Sequence, residues 1–328
     1  MTTSVETKGH GRPVPLLELS GVEVSYPGGV RAVAGVDLAV VRGETLSVVG
    51  ESGCGKSSLA RAIVHAPPPT SGTVRFDGRD LEALSPSELR ALRPRLQMIF
   101  QDPISSLNPR RTARQIVADG PDIWKRELAD GGGVDDTLRK VGIDPDRMGD
   151  RRPHQFSGGQ CQRISIARAV VLEPDVLVCD EPVSALDVSV QAQVLNLLRR
   201  LKADLDLTMV FIAHDLAVVK NISDRVAVMY LGKICEIGPV RAIYGNPAHH
   251  YTRALLASVP DVADAQRSVS DAPVSGEVPS PSSPPSGCRF RTRCPRAELR
   301  CATEEPELNA LGAGHDDHLV ACHFPVRG

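Results

Sequence analysis

Val22, Val24 and Tyr26 alternate with polar residues in a stretch that opens near Leu16, and this period of two predicts a strand. Pro27-Gly28-Gly29 then turns the chain into a second β-rich stretch, Ala32 to Val41. Thr45 to Val49 is a short apolar run ending at Gly50, the pattern of a strand buried on both faces. Val176–Cys179 and Met209–Ala213 are runs of the same kind, separated by a helical period over Val190–Leu201. Strands alternating with helices predict a parallel sheet covered by helices. Between the two halves, the stretch from about Leu84 to Arg152 is charged and helix-leaning. It opens on Ser85 and Glu88 at capping-box spacing, and Asp130-Gly131-Gly132-Gly133 marks a flexible break in it. The pattern is that of a helical insertion in an α/β core.

Residues 268–287, rich in Ser and Pro, lack the apolar positions of a core and predict an extended linker. A short cysteine-bearing tail follows, and no internal repeat is visible.

Composition adds limits. The 328 residues allow one large domain or two ordinary ones. Aromatic residues are only 3%, so Leu, Val, Ile and Ala must fill the core. A net charge of -2 argues against a basic nucleic-acid-binding protein, so no nucleic-acid partner is expected. No apolar run approaches the roughly 18–20 residues that span a bilayer, and the N-terminus lacks the apolar centre of a signal peptide. A cytoplasmic location is expected, with any attachment to a membrane made through another chain.

Gly50-Glu51-Ser52-Gly53-Cys54-Gly55-Lys56-Ser57 fits the phosphate-binding loop pattern, placed between an apolar strand and a helical stretch, Ser58 to Val64. Glycines let backbone N–H groups curl round phosphates, and the helix N-terminus adds positive potential. Lys56 is expected to reach the β- and γ-phosphates and Ser57 to ligate Mg²⁺. Cys54 lies near Lys56 and a helix N-terminus, which predicts a lowered thiol pKa and a loop sensitive to alkylation.

Val176–Cys179 ends in Asp180 and Glu181. Paired with an upstream phosphate loop, Asp180 suits the Mg²⁺ shell and Glu181 a general base that polarises water. A solvated acidic strand end is the alternative.

Phe156-Ser157-Gly158-Gly159-Gln160 opens a helical stretch, and here the chain resembles the ABC ATPases, whose LSGGQ signature it matches with Phe in place of Leu. The resemblance implies that Ser157, Gly158, Gly159 and Gln160 face the γ-phosphate held by another subunit in a head-to-tail dimer. It further implies Tyr26 stacked on adenine, Gln101 as the Q-loop glutamine, Asp187 in the D-loop and His214 as the switch histidine. Gly50, Ser52, Gly53, Cys54, Gly55, Lys56, Ser57 and Ser58 would then hold ATP. The Q-loop region from Gln101 to Arg110, Ala185 to Gln193, Asn246 to Leu256 and the Pro/Ser-rich tail resemble, more narrowly, the ATPases of peptide importers, features shared with nickel importers.

The implied fold class is α/β: a P-loop NTPase RecA-like core with a helical subdomain and a C-terminal cysteine-containing extension. The implied domains are an ATPase domain over residues 16–262, with its helical part at about 85–165, a linker over 263–287 and a four-cysteine extension over 288–328. The implied partners are two transmembrane permease subunits, a second ABC ATPase subunit of the same or another kind and, indirectly, an extracytoplasmic solute-binding protein. That places the chain at the cytoplasmic face of the cell membrane. A nickel or other small-solute importer and a soluble ABC ATPase are the alternatives.

Cys288-x5-Cys294-x6-Cys301-x20-Cys322 is a set of four thiols resembling the C-terminal motif of peptide-importer ATPases, some of which carry a [4Fe–4S] cluster. Such a cluster, Zn²⁺, or four reduced thiols are the open readings. His315, His318 and His323 are alternative ligands.

Overall fold

The computed structural model of the chain describes residues 14–125, 133–258, 276–312 and 317–326. The chain opens with β1 (Pro15–Tyr26) and β2 (Val30–Val41), an antiparallel pair. Their alternation buries Leu17, Leu19, Val22 and Val24 with Val33, Val36, Leu38 and Val40 in one apolar cluster. β3 (Thr45–Val49) leaves this sheet with all five residues buried. After α1 (Lys56–Ile63), β4 (Ser71–Phe76) and β5 (Arg79–Asp80) complete an antiparallel sheet of order β2-β1-β4-β5.

α2 (Pro86–Leu92) carries the expected Ser85–Glu88 capping box. The next element departs from the sequence reading: β6 (Leu96–Ile99) is a strand, lying inside the stretch expected to be helical. It pairs in parallel with β7 (Val176–Asp180), so the helical insertion begins after it. Four apolar-leaning residues are too few for periodicity to separate strand from helix. The decision is made by a partner strand far along the chain.

The insertion contains α3 (Pro103–Ser106), α4 (Ala113–Trp124), α5 (Val134–Lys140), α6 (Pro145–Met148) and α7 (Gly158–Val170). Of the expected break, Asp130–Gly132 lie outside the described residues, and Gly133 caps α5. α7 packs on α3, α4 and α5, burying Ile164, Ala167 and Val170 with Ile116, Val117 and Leu138.

α8 (Val188–Leu205), β8 (Thr208–Ala213), α9 (Leu216–Lys220), β9 (Arg225–Tyr230) and β10 (Lys233–Pro239) return the chain to the main sheet. α10 (Val240–Gly245) and α11 (His250–Ala257) follow. The tail contributes α12 (Leu299–Thr303), β11 (Asn309–Ala310) and β12 (Leu319–Val320). The main sheet has the order β11-β12-β10-β9-β3-β8-β7-β6. Its β9-β3-β8-β7-β6 part is parallel. α1 lies between the two sheets, against β1, β2, β7 and β8, which is why β3 and β7 are apolar on both faces.

The described residues of the tail pack into the main apolar clusters, Phe290 into one and Leu308 and Leu319 against the other. β12 extends the main sheet by pairing antiparallel with β10. Phe290, 2% exposed, packs its ring 5.3 Å from that of Tyr230 and 5.2 Å from that of Tyr251. Glu236 of β10, fully buried, accepts the backbone N–H groups of Ala248 at 2.7 Å and His249 at 2.9 Å, and lies 2.7 Å from His318 Nε2. His318 is thereby engaged by a carboxylate, and His323 Nε2 lies 3.0 Å from the Glu304 carbonyl. His315 and the linker up to residue 275 lie outside the described residues. No helix among the described residues is long and apolar enough to cross a membrane.

Candidate functional site

The adjacent parallel strands β3, β8, β7 and β6 share one direction, so their carboxyl ends lie on one edge of the sheet. That edge is where open α/β sheets bind ligands. Each strand delivers a sequence-predicted residue there: Gly50 to Ser57 after β3, His214 after β8, Asp180 and Glu181 on and after β7, and Gln101 after β6.

The loop after β3 needs its glycines for two reasons. A Cβ on Gly50 would lie 2.1 Å from the Met229 carbonyl oxygen. Gly55 has φ +105°, and its Cβ would lie 1.9 Å from the Ala32 carbonyl oxygen. Ser52 and Gly53 are exposed at the crest. Lys56, 4% exposed, folds back to donate to the carbonyls of Gly50 at 2.8 Å and Glu51 at 3.0 Å, and stands 3.8 Å from Glu181 Oε1. Tyr26 is 38% exposed, and its hydroxyl lies 3.1 Å from Ser58 Oγ, which places it at the start of α1.

Ser57 Oγ donates to Asp180 Oδ1 at 2.8 Å. Burial holds the Asp180 carboxyl above its ordinary pKa, with the hydrogen bond from Ser57 opposing and the charge of Glu181 adding. A hydroxyl and a carboxylate oxygen side by side are the hard donors that Mg²⁺ takes, and a nearby cation would relieve the crowding of negative charge. These residues therefore fit the metal.

Glu181 is where the site converges. Gln101 Nε2 donates to its Oε2 at 3.0 Å, His214 Nδ1 lies 3.4 Å from the same oxygen, and Lys56 approaches the other. Glu181 has φ +46°, a left-handed backbone uncommon for a residue with a side chain. Its N–H donates to the Ile212 carbonyl of β8, and its carbonyl accepts from Ser184 Oγ at 3.1 Å, so the conformation is held from both sides.

The signature residues lie apart from this cluster. Ser157 caps α7, with the Gln160 N–H donating to Ser157 Oγ and the Ser157 N–H donating to Gln160 Oε1 at 3.0 Å. Ser157 and Gly158 are exposed, with Gly159 and Gln160 half-buried. Asp187 accepts the Val190 N–H at 3.0 Å and caps α8. A hydrogen bond from Ser189 holds its carboxyl below the usual carboxylate range.

Cys54 contradicts the expectation of a lowered pKa. The thiol is 2% exposed, and burial pushes its pKa up by more than neighbouring Lys56 lowers it. Proximity to a lysine was legible in the sequence, whereas the orientation of the thiol into the core was not.

The fold brings the four tail thiols near enough for Cys322 to feel the charge of Cys288, Cys294 and Cys301. The Cys288 N–H donates to the Cys301 carbonyl at 2.8 Å, which folds the segment, and burial raises the pKa values of Cys288, Cys294 and Cys322, the last to about 11. Among the described residues no group of three or more His, Cys, Asp or Glu side chains is placed to hold a metal ion.

Sequence reasoning missed Glu51, Tyr251 and Arg293. Arg293 Nη1 and Nη2 grip the two Glu51 carboxylate oxygens at 2.6 and 3.0 Å, and the Tyr251 hydroxyl accepts the Glu51 N–H at 2.9 Å. Contacts across most of the chain's length leave no local pattern.

The ABC transporter family profile matches residues 33–184, and the profile described as the oligopeptide/dipeptide transporter C-terminal region matches residues 235–301. The chain is 49% identical over 330 residues to the oligopeptide transport ATP-binding protein OppF of Escherichia coli (95% of this chain, 96% of that protein). It is 46% identical over 326 residues to the oligopeptide transport ATP-binding protein AppF of Bacillus subtilis, with 94% and 97% covered. Among solved structures, cbiO1 from Clostridium perfringens, part of the ABC transporter complex cbiONQ, is similar at TM-score 0.63 and 28% identity, over 71% of this chain and 91% of that one. The dimeric post-hydrolysis state of an ATP-binding cassette bound to ADP and Pi matches at TM-score 0.62 and 29% identity, over 69% and 99%. With a phosphate loop, paired acids and a signature helix in one α/β chain, and with such relatives along nearly its whole length, the chain belongs to the ATP-binding subunits of the ABC transporter family.

Proposed function

We propose that this chain hydrolyses ATP at the β3-β8-β7-β6 edge to power the import of peptides through a membrane permease. The observation that carries the ATPase reading is the convergence of Gln101, His214 and Lys56 on the Glu181 carboxylate, beside the Ser57–Asp180 pair. Peptide as the cargo is supported by the names of the relatives and by the match of residues 235–301.

Lys56 leaves the carbonyls of Gly50 and Glu51 when a triphosphate offers a stronger acceptor. The N–H groups of the loop and of the start of α1 then cradle the phosphates. Ser57 and Asp180 would hold Mg²⁺, which supplies neutralisation of charge on the β- and γ-phosphates when bound. Tyr26 offers its ring to the adenine. Glu181 accepts a proton from the attacking water as the new O–P bond forms and the bond from the γ-phosphorus to the bridging oxygen breaks, releasing ADP. Gln101 fixes the carboxylate that receives the proton, and His214 contacts the γ-phosphate. Exposed Ser157 and Gly158 are available to a second ATPase subunit, whose triphosphate they would cap, with Asp187 at the same junction.

Exposed Phe100 and Ile104, beside Gln101, suit docking of the two permease subunits, which would keep the chain at the cytoplasmic face of the cell membrane. An extracytoplasmic solute-binding protein would deliver cargo to those permeases. The ATPase domain over 16–262 and the four-cysteine extension over 288–328 remain the proposed division of labour. Binding of a [4Fe–4S] cluster by Cys288, Cys294, Cys301 and Cys322 rests on their sequence spacing and on the nearness of the four thiols. Stoichiometric iron and sulfide in anaerobically purified protein, with the matching visible absorption, tests it.

The function is tested in proteoliposomes containing the permease pair and its ATPase subunits. Peptide-dependent ATP hydrolysis and peptide uptake are expected, and both vanish in Lys56→Ala. Uptake of nickel or another small solute without peptide would move the assignment to the alternative importers. Hydrolysis indifferent to the permease would point to a soluble ATPase.

A further inference from the structure

We infer that the C-terminal segment sets the shape of the phosphate loop, with Arg293 acting as a positioning residue for ATP binding; this rests on the nucleotide reading of residues 50–57. The guanidinium grips Glu51 with two parallel N–H donors, at 2.6 and 3.0 Å, and the Arg293 side chain is only 5% exposed. A bidentate, largely buried pair fixes orientation as well as distance.

Every polar part of Glu51 is engaged. Its carboxylate belongs to Arg293, its N–H donates to Tyr251 of α11, and its carbonyl accepts from Lys56 Nζ and from the Cys54 N–H at 3.3 Å. Binding of a phosphate draws Lys56 away. Arg293 and Tyr251 then remain as the external holds on this residue, one from the tail and one from α11.

Arg293 is itself fixed. Its Nη1 is 3.4 Å from the Tyr230 hydroxyl, and its guanidinium lies 5.8 Å from the Tyr230 ring centroid. Phe290, three positions earlier, is buried between Tyr230 and Tyr251. A second strut runs from the same segment. Arg289 Nη1 donates to the Leu231 carbonyl, and the next residue, Gly232, donates its N–H to the Cys54 carbonyl of the loop at 2.8 Å. The tail thus touches the phosphate loop directly at Glu51 and through one intervening turn at Cys54.

A loop held in its binding shape loses less freedom when ATP arrives. The brace therefore acts on nucleotide affinity more than on the chemical step, because Glu181, Gln101 and His214 stand on other strands. The full-length chain is tested by equilibrium binding of Mg²⁺ with a fluorescent N-methylanthraniloyl-ATP, and by KM and kcat for ATP in the intact transporter. Arg293→Met and Glu51→Gln are each expected to weaken binding by about tenfold, with the double variant no weaker than the worse single. Arg293→Lys, which keeps the charge and loses the fork, is expected to fall between.

Should Arg293→Met not fold, Glu51→Gln carries the test, since it leaves the packing of Phe290 untouched. Affinities within about twofold of the parent in both single variants, multiplying losses in the double variant, or a loss confined to kcat would each overturn the brace. Lys56→Ala is the reference. If it abolishes binding while Arg293→Met and Glu51→Gln bind normally, the brace alone is overturned; if it binds normally, the nucleotide reading and the brace fall together.

Discussion

Gln101 and Glu181, eighty positions apart, are joined by a 3.0 Å hydrogen bond from the amide Nε2 to the carboxylate Oε2. The bond crosses from the end of β6 to the end of β7, so a residue of the helical insertion's entrance holds the proposed base. Replacing Glu181 by Gln removes the proton acceptor and leaves the phosphate loop intact. Nucleotide binding is expected to persist while turnover falls by about 10²–10⁴-fold. Steady-state hydrolysis beside equilibrium ATP binding checks this, and fast turnover in the variant would remove Glu181 from its role.

Gly55 and Gly53 separate two demands on the loop. Both have positive φ, +105° and +78°, but only the Gly55 Cβ meets an obstacle, the Ala32 carbonyl oxygen at 1.9 Å. Gly53→Ala is expected to cost about 1–2 kcal/mol from the backbone conformation alone. Gly55→Ala adds a backbone collision and is expected to cost several kcal/mol or to prevent folding. Urea unfolding of the two variants measures the difference, and equal losses would contradict the close approach of β2.

Cys54 is expected to react slowly with a thiol alkylator in the native chain and rapidly in urea. Burial both blocks access and keeps the thiol protonated at neutral pH. Mass spectrometry of the labelled chain over time checks this. Native labelling as fast as that of an exposed thiol would contradict the burial.

His249 gives the fold an acid limit. Burial lowers its pKa from 6.5 to about 4, against the raising effect of Glu236 and with a further lowering from His250; His318 also faces Glu236. The folded state resists a proton that the unfolded chain accepts. This group therefore leaves stability unaffected above about pH 6.5 and reduces it as pH falls towards 4, by about 3 kcal/mol in all. His249→Asn keeps an acceptor for the Tyr251 N–H, now received by Nδ1 at 3.0 Å, and removes the titration. Denaturant melts from pH 7 to 4 should show a shallower loss in the variant, and an unchanged slope would exclude His249 as the cause.

The sequence revealed β3, the phosphate loop and β7 because each combines an apolar run with a chemically costly ending: glycines in one case, paired acids in the other. The capping box at Ser85 was equally legible, being a local hydrogen-bond device, whereas the one at Ser157 went unread behind the signature it belongs to. β6 was not, because Leu96–Ile99 is strand-like only in the company of β7. The orientation of Cys54 and the grip of Arg293 on Glu51 depend on packing between distant segments, which no local spacing records. The tail cysteines were legible as a set from their spacing, and the fold brings their thiols near one another, while no group placed to hold a metal ion is found among the described residues.

Glu51 and Arg293 are separated by 242 positions. Ribosomes add about 5–20 residues per second, so the phosphate loop leaves the ribosome roughly 10–50 seconds before its arginine is made. During that interval the half-built subunit carries a loop whose Glu51 lacks the arginine that grips it in the finished chain. The surroundings of the phosphate loop are therefore completed late in the life of the nascent chain, although the loop itself is among the first segments to be translated.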